Sequence, residues 1–401
     1  MTLLNTDFHA AAEAEFPAMI ALRRAIHADP ELGLHCTRTT EKLKAALTGL
    51  PLEIRNSSST SGFVAILRGD RLGRTVLLRG DMDALPIHEE TGLDFASATA
   101  GKMHACGHDT HSAMLAAAAR ILCAQQASLE GNIVFMFQPG EEGFHGARFM
   151  IEDGLLSDPA PDAAFALHIW PTMKGGQVAT RAGALLASTD ALNATIRGKG
   201  GHAAMPYDAI DPIPVACEAV GALQQYIARA VPFFDAAVIS ITQIDAGTAY
   251  NVIPETVELK GTLRTLSDER RQAGKAAFER IMTGVAATHG CTAEIRIDQG
   301  YPATRNDPRA VALVERLAGD LFGAESFTTM PSPIMGGEDF AYVLQQVPGC
   351  MAFLGVAPPD EAPEGRAGLH HAKMTLHEEW LQRGVALHCA FATRFLAGGW
   401  A

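Results

Sequence analysis

A cysteine and a histidine two residues apart form the sharpest local feature of the chain, Cys106-Gly107-His108-Asp109. A thiolate and an imidazole at this spacing can converge on one metal ion, and both are good ligands for Zn²⁺ and similar metals. A buried free cysteine beside a surface histidine is the commoner arrangement when such a pair occurs alone. His104 and His111 crowd the same stretch, and this density of histidines favours a metal site.

Two adjacent carboxylates, Glu141 and Glu142, follow an apolar run, Asn132 to Phe137. One carboxylate of such a pair can bind a metal ion while the other accepts a proton from an activated water molecule. A solvated acidic turn is the ordinary explanation of a bare Glu-Glu pair. The position of this pair after a predicted strand favours a role in a site.

Acidic and imidazole side chains follow two further apolar runs. Asp81 and Asp83 come after the run that begins at Thr75, and His168 follows the run 163–167. A carboxylate here could bind metal or hold a ligand histidine through the second ring nitrogen, although Asp81 could equally cap a turn. A lone histidine at a strand end is more often structural. Because open α/β sheets bind ligands at the carboxyl ends of their strands, the three strand ends together predict a site there.

The elements that position these residues are apolar strands separated by helical patterns such as Thr110 to Gln126. Continuous apolar strands alternating with helices indicate an α/β fold with a mostly parallel sheet that helices cover on both faces. A chain of 401 residues is longer than one compact core usually supports. We therefore expect a second domain beside this one.

From residue 183 the pattern changes to alternating, half-exposed strands in the order β-α-β-β-α-β, which predicts an inserted α+β domain of the ferredoxin-like type. Asp211, with Pro212 at the first helical position, predicts the start of one of its helices, and Ser267 predicts the start of the other. The predicted domains are a discontinuous catalytic, metal-binding domain, residues 1–182 and 298–401, and an inserted domain, residues 183–297.

The inserted segment carries three further polar candidates. His202 lies in a glycine-rich loop, Gly198 to Ala204, which lacks the spacing and the Ser or Thr after lysine that a phosphate-binding loop requires. Arg264 offers a planar guanidinium that suits a substrate carboxylate, and Asn251 adds an amide.

Composition and charge exclude several classes of protein. The 32 basic against 45 acidic residues give a net charge of -13, which offers no surface for nucleic acid or an anionic membrane. The longest apolar segments, such as Ala113 to Cys123, are too short to span a bilayer, and Met1 to Ala12 shows no secretory signal. Seven widely spread cysteines are not a disulfide framework, so we expect a reducing, cytoplasmic location.

An ordered set of motifs resembles the amidohydrolase subfamily of hippurate hydrolases. Plant indole-acetyl-amino-acid hydrolases and bacterial N-acetyl-diaminopimelate deacetylases belong to the same group, within the aminoacylase and carboxypeptidase family of metallopeptidases. The motifs run along nearly the whole chain and are Arg79 to Ile87, His104 to Asp109, Gln138 to Glu142, Gly198 to Pro206, Asn251 to Pro254, Gly261 to Arg264 and Gly336 to Phe340.

The resemblance implies a role for each candidate residue. Glu141 would be the general base and acid, and Asp83 would support the metal ligands. His202 would polarise the scissile carbonyl, in relatives often from a partner subunit, while Asn251 and Arg264 would help to bind the substrate carboxylate. The implied ligands of a pair of divalent ions, with Cys106 as the bridge, are Cys106, His108, Glu142, His168 and His370.

The resemblance also implies the reaction, which is cleavage of a small-molecule N-acyl amino acid to a carboxylic acid and a free amino acid. It implies a homodimer or higher homo-oligomer formed through the inserted domain, which would act as a lid. The metal is left open among Zn²⁺, Mn²⁺, Co²⁺ and Ni²⁺.

Several alternatives stay open at the level of sequence. The same apparatus could serve a dipeptidase or carboxypeptidase, or the fold could be kept by a non-catalytic ligand-binding relative, although the intact Glu141 disfavours the latter. The Cys106 loop could be redox-active or a structural zinc site, but neither requires a Glu pair at a separate strand end. Relatives carry a Leu-His-Asn-Pro-like sequence where this chain has Leu369-His370-His371-Ala372, so His371 could replace His370 as a ligand.

Overall fold

A computed structural model describes residues 7–401, which form two compact units. The first unit runs to Gly183 and includes Arg305–Ser332 and Asp339–Ala401. The second unit comprises Ala184–Thr304 and Pro333–Glu338. Within residues 7–401, no helix has both the length and the apolar character needed to cross a membrane.

Strands and helices alternate along most of the chain. The helices, in chain order, are α1 (Phe8–His27), α2 (Thr37–Ala46), α3 (His108–Cys123), α4 (Gly146–Glu152), α5 (Pro212–Ala230), α6 (Asp268–Thr288), α7 (Pro308–Phe322), α8 (Ala341–Leu344) and α9 (Leu381–Gly398). The strands are β1 (Leu52–Asn56), β2 (Phe63–Arg68), β3 (Arg71–Asp81), β4 (Glu130–Gln138), β5 (Ala163–Trp170), β6 (Val178–Thr180), β7 (Gly183–Leu186), β8 (Ser188–Arg197), β9 (Gly201–His202), β10 (Ala237–Ala246), β11 (Val252–Ile253), β12 (Thr256–Thr265), β13 (Thr292–Gln299), β14 (Thr304–Asn306), β15 (Phe327–Thr329) and β16 (Gly349–Gly355).

The first unit is built on one eight-stranded sheet in the order β1-β2-β4-β3-β5-β16-β6-β15. The central neighbours β4, β3, β5 and β16 run parallel, as do β6 and β15. Residues 75–81 of β3 are all buried, as expected for a strand covered on both faces. The predicted mostly parallel α/β sheet is confirmed. The antiparallel pairings of β1 with β2, β2 with β4 and β6 with β16 were not predicted.

One face of this sheet packs against a layer of helices. Alternate residues of β4 and β5, such as Phe135 and Phe165, share one apolar core with the buried sides of α1, α3, α7 and α9. The ring of Phe165 stacks on that of Phe391 of α9, with centroids 4.6 Å apart. Burial of such aromatic surface is a main stabilising contribution to a fold of this kind.

Helix α3 positions part of the site, and it begins earlier than the predicted Thr110. Its sequence is rich in alanine, which has the highest helix propensity, and α3 packs on α1, α9, β3 and β5. Gly107 precedes it with a φ of 84°, in the left-handed region that glycine adopts without strain. The helix therefore starts at His108 and ends at Cys123, so His108 lies in its first turn.

The second unit contains a four-stranded antiparallel sheet in the order β10-β12-β8-β13, against which α5 and α6 pack. The chain order β8-α5-β10-β12-α6-β13 agrees with the predicted β-α-β-β-α-β pattern, and a small ribbon of β9 and β11 is added to it. Both predicted helix starts are confirmed. Asp211 accepts a hydrogen bond from the backbone N of Ile213 at 2.9 Å, and Ser267 accepts one from Arg270 N at 3.2 Å.

Candidate metal centre

Two candidate ligands lie at the start of α3. Cys106 is in the loop before the helix, and His108 is in its first turn. A Cβ atom on Gly107 between them would lie 2.5 Å from the side chain of Ile169, so only glycine fits this bend. The Nδ1 atom of His108 lies 2.8 Å from the backbone carbonyl of Asp83, to which it donates. The His108 Nε2 atom is buried and has no hydrogen-bond partner among the described residues, which leaves it available to a metal ion.

His168 lies inside β5 rather than after it. The predicted strand ended at Leu167, but β5 runs to Trp170 because it pairs with β16 up to Gly355. Nδ1 of His168 donates to the carbonyl of Ile169 at 2.7 Å, and Nε2 lies 3.4 Å from the Sγ atom of Cys106. His108 and His168 therefore have the same arrangement, in which a backbone carbonyl fixes one nitrogen and the other faces the cluster.

The Glu141-Glu142 pair is held through its backbone by Asp83. The two carboxylate oxygens of Asp83 accept hydrogen bonds from Glu141 N at 3.0 Å and from Glu142 N at 3.1 Å. Asp83 is buried, and its carboxylate also lies 3.7 Å from Nδ1 of His108. The closest carboxylate oxygens of Glu141 and Glu142 each lie 3.9 Å from His108 Nε2. Asp83 thus fixes both glutamates and the orientation of His108.

His370 joins the cluster from the loop before α9. Its Nε2 atom lies 3.3 Å from Oε1 of Glu142, and its backbone N donates to Ala105 O at 2.8 Å. Its φ of 64° is uncommon for a residue other than glycine, and such strained conformations occur most often at functional sites. Its neighbour His371 is exposed and accepts a hydrogen bond from Lys373 N at 3.0 Å. The structure thus brings His370 to the cluster, while His371 bonds within its own loop.

Among the groups of possible donor atoms, two share Cys106. Within each group the donors lie within 4.8 Å of one another. One group contains Cys106, His108 and His168, and the other contains Cys106, Glu142 and His370. A mixed set of thiolate, imidazole and carboxylate donors suits Zn²⁺ and other divalent transition metals. The Nε2 atom of His108 has no hydrogen-bond partner among the described residues, although it lies 3.5 Å from Oδ2 of Asp81. This atom and the donor chemistry fit a pair of metal ions.

The electrostatics of the metal-free cluster favour a cation. Hydrogen bonds that His370 donates to Cys106 and Glu142 raise the pKa of His370 to about 10. Burial disfavours a charged His108, yet Asp81 and Cys106 outweigh burial and raise its pKa well above the ordinary value. Burial raises the pKa of the Cys106 thiol, and His108 opposes that shift. The acidic groups therefore hold protons on His108 and His370, and a metal ion can replace those protons as the positive partner. Burial instead keeps the pKa of His168 well below its ordinary value, so that ring is a neutral donor.

Asp81 and Asp83 do not act together, although a continued strand would have pointed them the same way. β3 ends at Asp81, whose carboxylate receives hydrogen bonds from His111 Nδ1 at 2.6 Å and from Arg79. Arg79, His108 and His111 outweigh the effect of burial on Asp81 and keep its pKa well below the ordinary value. Asp81 is therefore part of a buried ion-pair network and does not cap a turn.

Both ring nitrogens of His111 are hydrogen-bonded within the protein, so His111 is not available as a metal ligand. Its Nδ1 atom is bonded to Asp81, and its Nε2 atom accepts the backbone N–H of Ile169 at 2.9 Å. Its ring lies 4.4 Å from that of His168, centroid to centroid. Both nitrogens are occupied, so His111 fixes the strand beside His168. Its spacing of three residues from His108, on one face of α3, was the available sequence signal.

Sequence reasoning missed a second support, formed by Arg79 and Asp339. Asp339 accepts hydrogen bonds from Gln138 Nε2 at 2.7 Å and from Ala147 N at 2.9 Å, and its Oδ1 atom lies 3.3 Å from Arg79 Nη2. Gln138 and Ala147 flank the loop of Glu141 and Glu142. The available signal was an arginine inside an otherwise apolar strand, which requires a buried acidic partner.

The remaining candidates lie in the second unit. His202 of β9 is exposed and pairs with Val252 of β11, and its Nδ1 atom accepts a hydrogen bond from Ala204 N at 3.1 Å. Asn251 precedes β11 and is exposed, and its backbone oxygen accepts from Ala203 N. Arg264 is half-buried within β12. His202 and Asn251 therefore belong to the small ribbon, and Arg264 belongs to the four-stranded sheet.

Comparisons with known proteins agree over nearly the full length of the chain. The family described as peptidase family M20/M25/M40 matches residues 77–394. The N-acetylcysteine deacetylase of Bacillus subtilis is 37% identical over 364 residues, which are 90% of this chain and 93% of that protein. An IAA-amino acid hydrolase of Arabidopsis thaliana is 35% identical over 385 residues, 95% of this chain and 86% of that protein. The crystal structure of a dinuclear metal binding peptidase of the M20 family from Bacillus subtilis has a TM-score of 0.82 and 34% identity, covering 96% of this chain and 99% of that one.

Proposed function

Because the chain belongs to peptidase family M20/M25/M40 and is an amidohydrolase of that family, we propose that it cleaves the amide bond of N-acyl amino acids. The products are a carboxylic acid and a free amino acid. The names of the Bacillus and Arabidopsis relatives both refer to such compounds, which supports this substrate class. The observation that carries the proposal is the pair of donor groups that share Cys106, with the Glu141 carboxylate beside them.

We propose that the two donor groups each hold one divalent ion. Cys106, His108 and His168 would bind the first, and Cys106 would bind the second together with Glu142 and His370. The mixed donors leave Zn²⁺, Mn²⁺, Co²⁺ and Ni²⁺ as the candidates. When bound, such a pair polarises a carbonyl group and lowers the pKa of a water molecule toward neutrality.

Glu141 is the proton carrier in this proposal. Its carboxylate accepts a proton from the attacking water and later delivers that proton to the leaving nitrogen, so that water and amide yield acid and amine. Asp83 supports this role, since it holds the backbone N of Glu141 at 3.0 Å. The adjacent Glu142 is held the same way and binds metal, so the two carboxylates divide the work.

The residues of the second unit are proposed to bind the substrate. His202 accepts a hydrogen bond at Nδ1 from Ala204 N, so the neutral ring carries its proton on Nε2. That N–H can donate to the carbonyl oxygen as negative charge develops on it. Asn251 and Arg264 would bind the substrate carboxylate, for which the planar guanidinium is suited.

We also propose that the chain forms a homodimer through the second unit. Strand β10 is at the edge of its sheet, and its Ile244 is half exposed and Val238 is exposed to 39%. An open edge with exposed apolar residues favours pairing with another chain. Sedimentation velocity of the wild type beside Ile244→Lys tests this proposal, and a monomeric wild type would contradict it.

A reducing, cytoplasmic location is proposed on the basis of cysteine chemistry. The seven cysteines are all free, and the proposed role of Cys106 requires a thiolate rather than a disulfide. Cell fractionation tests the location directly, and recovery from an oxidising compartment would contradict it.

The substrate proposal is tested by release of free amino acid from a panel of N-acetyl, N-benzoyl and indole-acetyl amino acids and unblocked dipeptides. Each is measured before and after removal of metal by a chelator, and after metal is restored. We expect acyl amino acids to be cleaved, activity to vanish with the chelator, and activity to return with metal. Cleavage of unblocked dipeptides alone would instead assign a peptidase. No cleavage by folded, metal-loaded protein would contradict catalysis.

A further inference from the structure

A group of charged residues, partly or fully buried, lies next to the proposed metal ligands of the first unit. We define the Asp109 cluster as Arg23 and His27 of α1 with Glu89, Asp109 and Glu378. Asp109 follows the ligand candidate His108 and is fully buried. It accepts a hydrogen bond from Arg23 Nε at 2.7 Å and lies 2.9 Å from His27 Nδ1. Such buried charges persist only when they are paired this closely.

Besides Asp109, the two α1 side chains contact Glu378 and Glu89, which lie on two further segments of the chain. The Nη1 atom of Arg23 lies 2.6 Å from Oε1 of Glu378, so one guanidinium binds two carboxylates. The Nε2 atom of His27 lies 3.2 Å from Oε1 of Glu89. The two α1 side chains thus join three stretches of chain that are far apart in sequence.

Both of the outer contacts end at residues adjacent to the loop that carries His370, residues 370–377, or to a segment bonded to it. Glu378 directly follows this loop. Next to Glu89, the backbone N of Glu90 donates to the carbonyl of Ala372 at 2.9 Å, within the loop. The Asp109 cluster therefore connects the His370 loop to the residue that follows His108.

His370 depends on such support from outside. Its backbone is in the left-handed region with a φ of 64°, and its side chain is 53% exposed, so little packing of its own holds it in place. A strained conformation persists when the surrounding structure over-determines it. The donors of the second metal group lie on separate segments, and a shift of the His370 loop would separate them.

We propose that Arg23 and His27 are positioning residues for His370, an inference that rests on the proposed function. They hold the His370 loop against the loop of Cys106 and His108, and so keep the donors of the second metal ion together. Neither residue touches the metal or the substrate. Arginine is required at position 23, since its planar fork binds two carboxylates at once and a lysine ammonium is a single point charge.

Titration of the metal-free full chain with Co²⁺ tests this proposal. Two ions should bind to the wild type, and Arg23→Lys should weaken binding of one of them by about 10- to 100-fold while the other binds normally. The Co²⁺ absorption spectrum of the weakened site should change as well. His27→Gln, which removes the contact with Glu89, should weaken the same ion. The matched control is Arg24→Lys, since Arg24 also binds Glu378, with Nε 3.1 Å from Oε1, but is not paired with Asp109 among the described residues.

The Co²⁺ affinities of the variants decide whether Arg23 and His27 position His370. Equal affinities in wild type and folded Arg23→Lys would overturn the inference and leave the proposed function intact. An equal loss in Arg24→Lys would also overturn it, because the effect would then not depend on the link to Asp109. If Arg23→Lys does not fold, Glu378→Gln decides by the same criterion. A wild type that binds no Co²⁺ would refute the proposed metal pair and this inference with it.

Discussion

The two units of the molecule treat their candidate residues in opposite ways. In the first unit Cys106, His108 and His168 are buried, and hydrogen bonds to backbone groups fix both rings. In the second unit His202 and Asn251 are exposed on a short ribbon. Donors that share a metal ion need fixed positions, whereas groups that meet a substrate need access to it. The difference in burial thus matches the difference in proposed role, with the exception of His370, whose side chain is 53% exposed.

The second unit also contains a buried ion pair, Asp190 with Arg271, which stabilises that unit and is not part of a proposed site. Asp190 of β8 accepts hydrogen bonds from Arg271 Nε at 2.7 Å and Nη2 at 2.8 Å, and Arg271 also donates to the carbonyl of Gly300. This ion pair joins α6 to the sheet and is bidentate, which is the strongest geometry for such a pair. Burial of polar groups alone therefore does not identify a site; thiol, imidazole and carboxylate donors within 4.8 Å of one another are the more specific signal.

The largest effect is expected from Cys106→Ala. Because the Cys106 thiolate belongs to both donor groups, its loss should remove both ions and reduce turnover to the limit of detection. Metal content by mass spectrometry and amino-acid release check this result. Cys36→Ala is the matched control, since Cys36 is also buried but donates to the carbonyl of Gly33 outside the donor groups. Normal metal content in Cys106→Ala would contradict the shared ligand.

Glu141→Gln should lower turnover by about 10³-fold or more and leave the metal content unchanged, since glutamine cannot accept the proton. The contrasting variant is Glu142→Gln, which should lose one ion. The pair separates proton transfer from metal binding in two adjacent residues. Glu141→Gln that turns over normally would remove this residue from the mechanism.

His202→Ala tests the proposed substrate-binding role of the second unit. It should lower kcat by about 10²-fold, the usual cost of one donor to a developing oxyanion, with no loss of metal. His289→Ala is the control, since His289 is a half-exposed histidine of the same unit that binds Glu218. An unchanged kcat would exclude His202 from the site.

The smallest effect concerns stability and pH, and it arises in the first unit. Burial lowers the pKa of His27, but the charge and hydrogen bond of Asp109, with the hydrogen bond of Glu89, outweigh burial and raise that pKa to about 9 from 6.5. A raised pKa contributes stability that is complete below pH 6.5 and is lost as the pH rises through 9.

His27→Gln should therefore destabilise the protein more at pH 6 than at pH 10, by on the order of 2–3 kcal/mol. Urea unfolding of wild type and variant at the two pH values measures this difference. An equal loss of stability at both would show that His27 is not charged in the folded protein.

The main strands and helices could be predicted from the sequence because periodicity reports local burial. The continuous apolar runs before Asp81 and Glu141 became parallel strands, and Asp211 and Ser267 began the helices that they were predicted to cap. The antiparallel edge strands β1 and β2 were not predicted, because their pairing depends on register with β4 rather than on local pattern.

The supports of the site could not be predicted in the same way. His111 and Asp81 are 30 residues apart, and Arg23 and Asp109 are 86 apart, so no local spacing reveals either contact. The resemblance to a family supplied the residues that are proposed to bind the metal or the substrate. The charged residues behind them became visible only when the fold placed α1 against α3.

The measurement that tests the central claim most directly is the metal stoichiometry of the chain, followed together with turnover. Metal-free protein is given increasing equivalents of Zn²⁺ or Mn²⁺, and bound metal and amino-acid release are measured on the same samples. We predict that two ions bind per chain and that turnover appears only as they bind. Full turnover without metal, or a chain that binds none while folded, would contradict the assignment of the buried cluster as a two-metal centre.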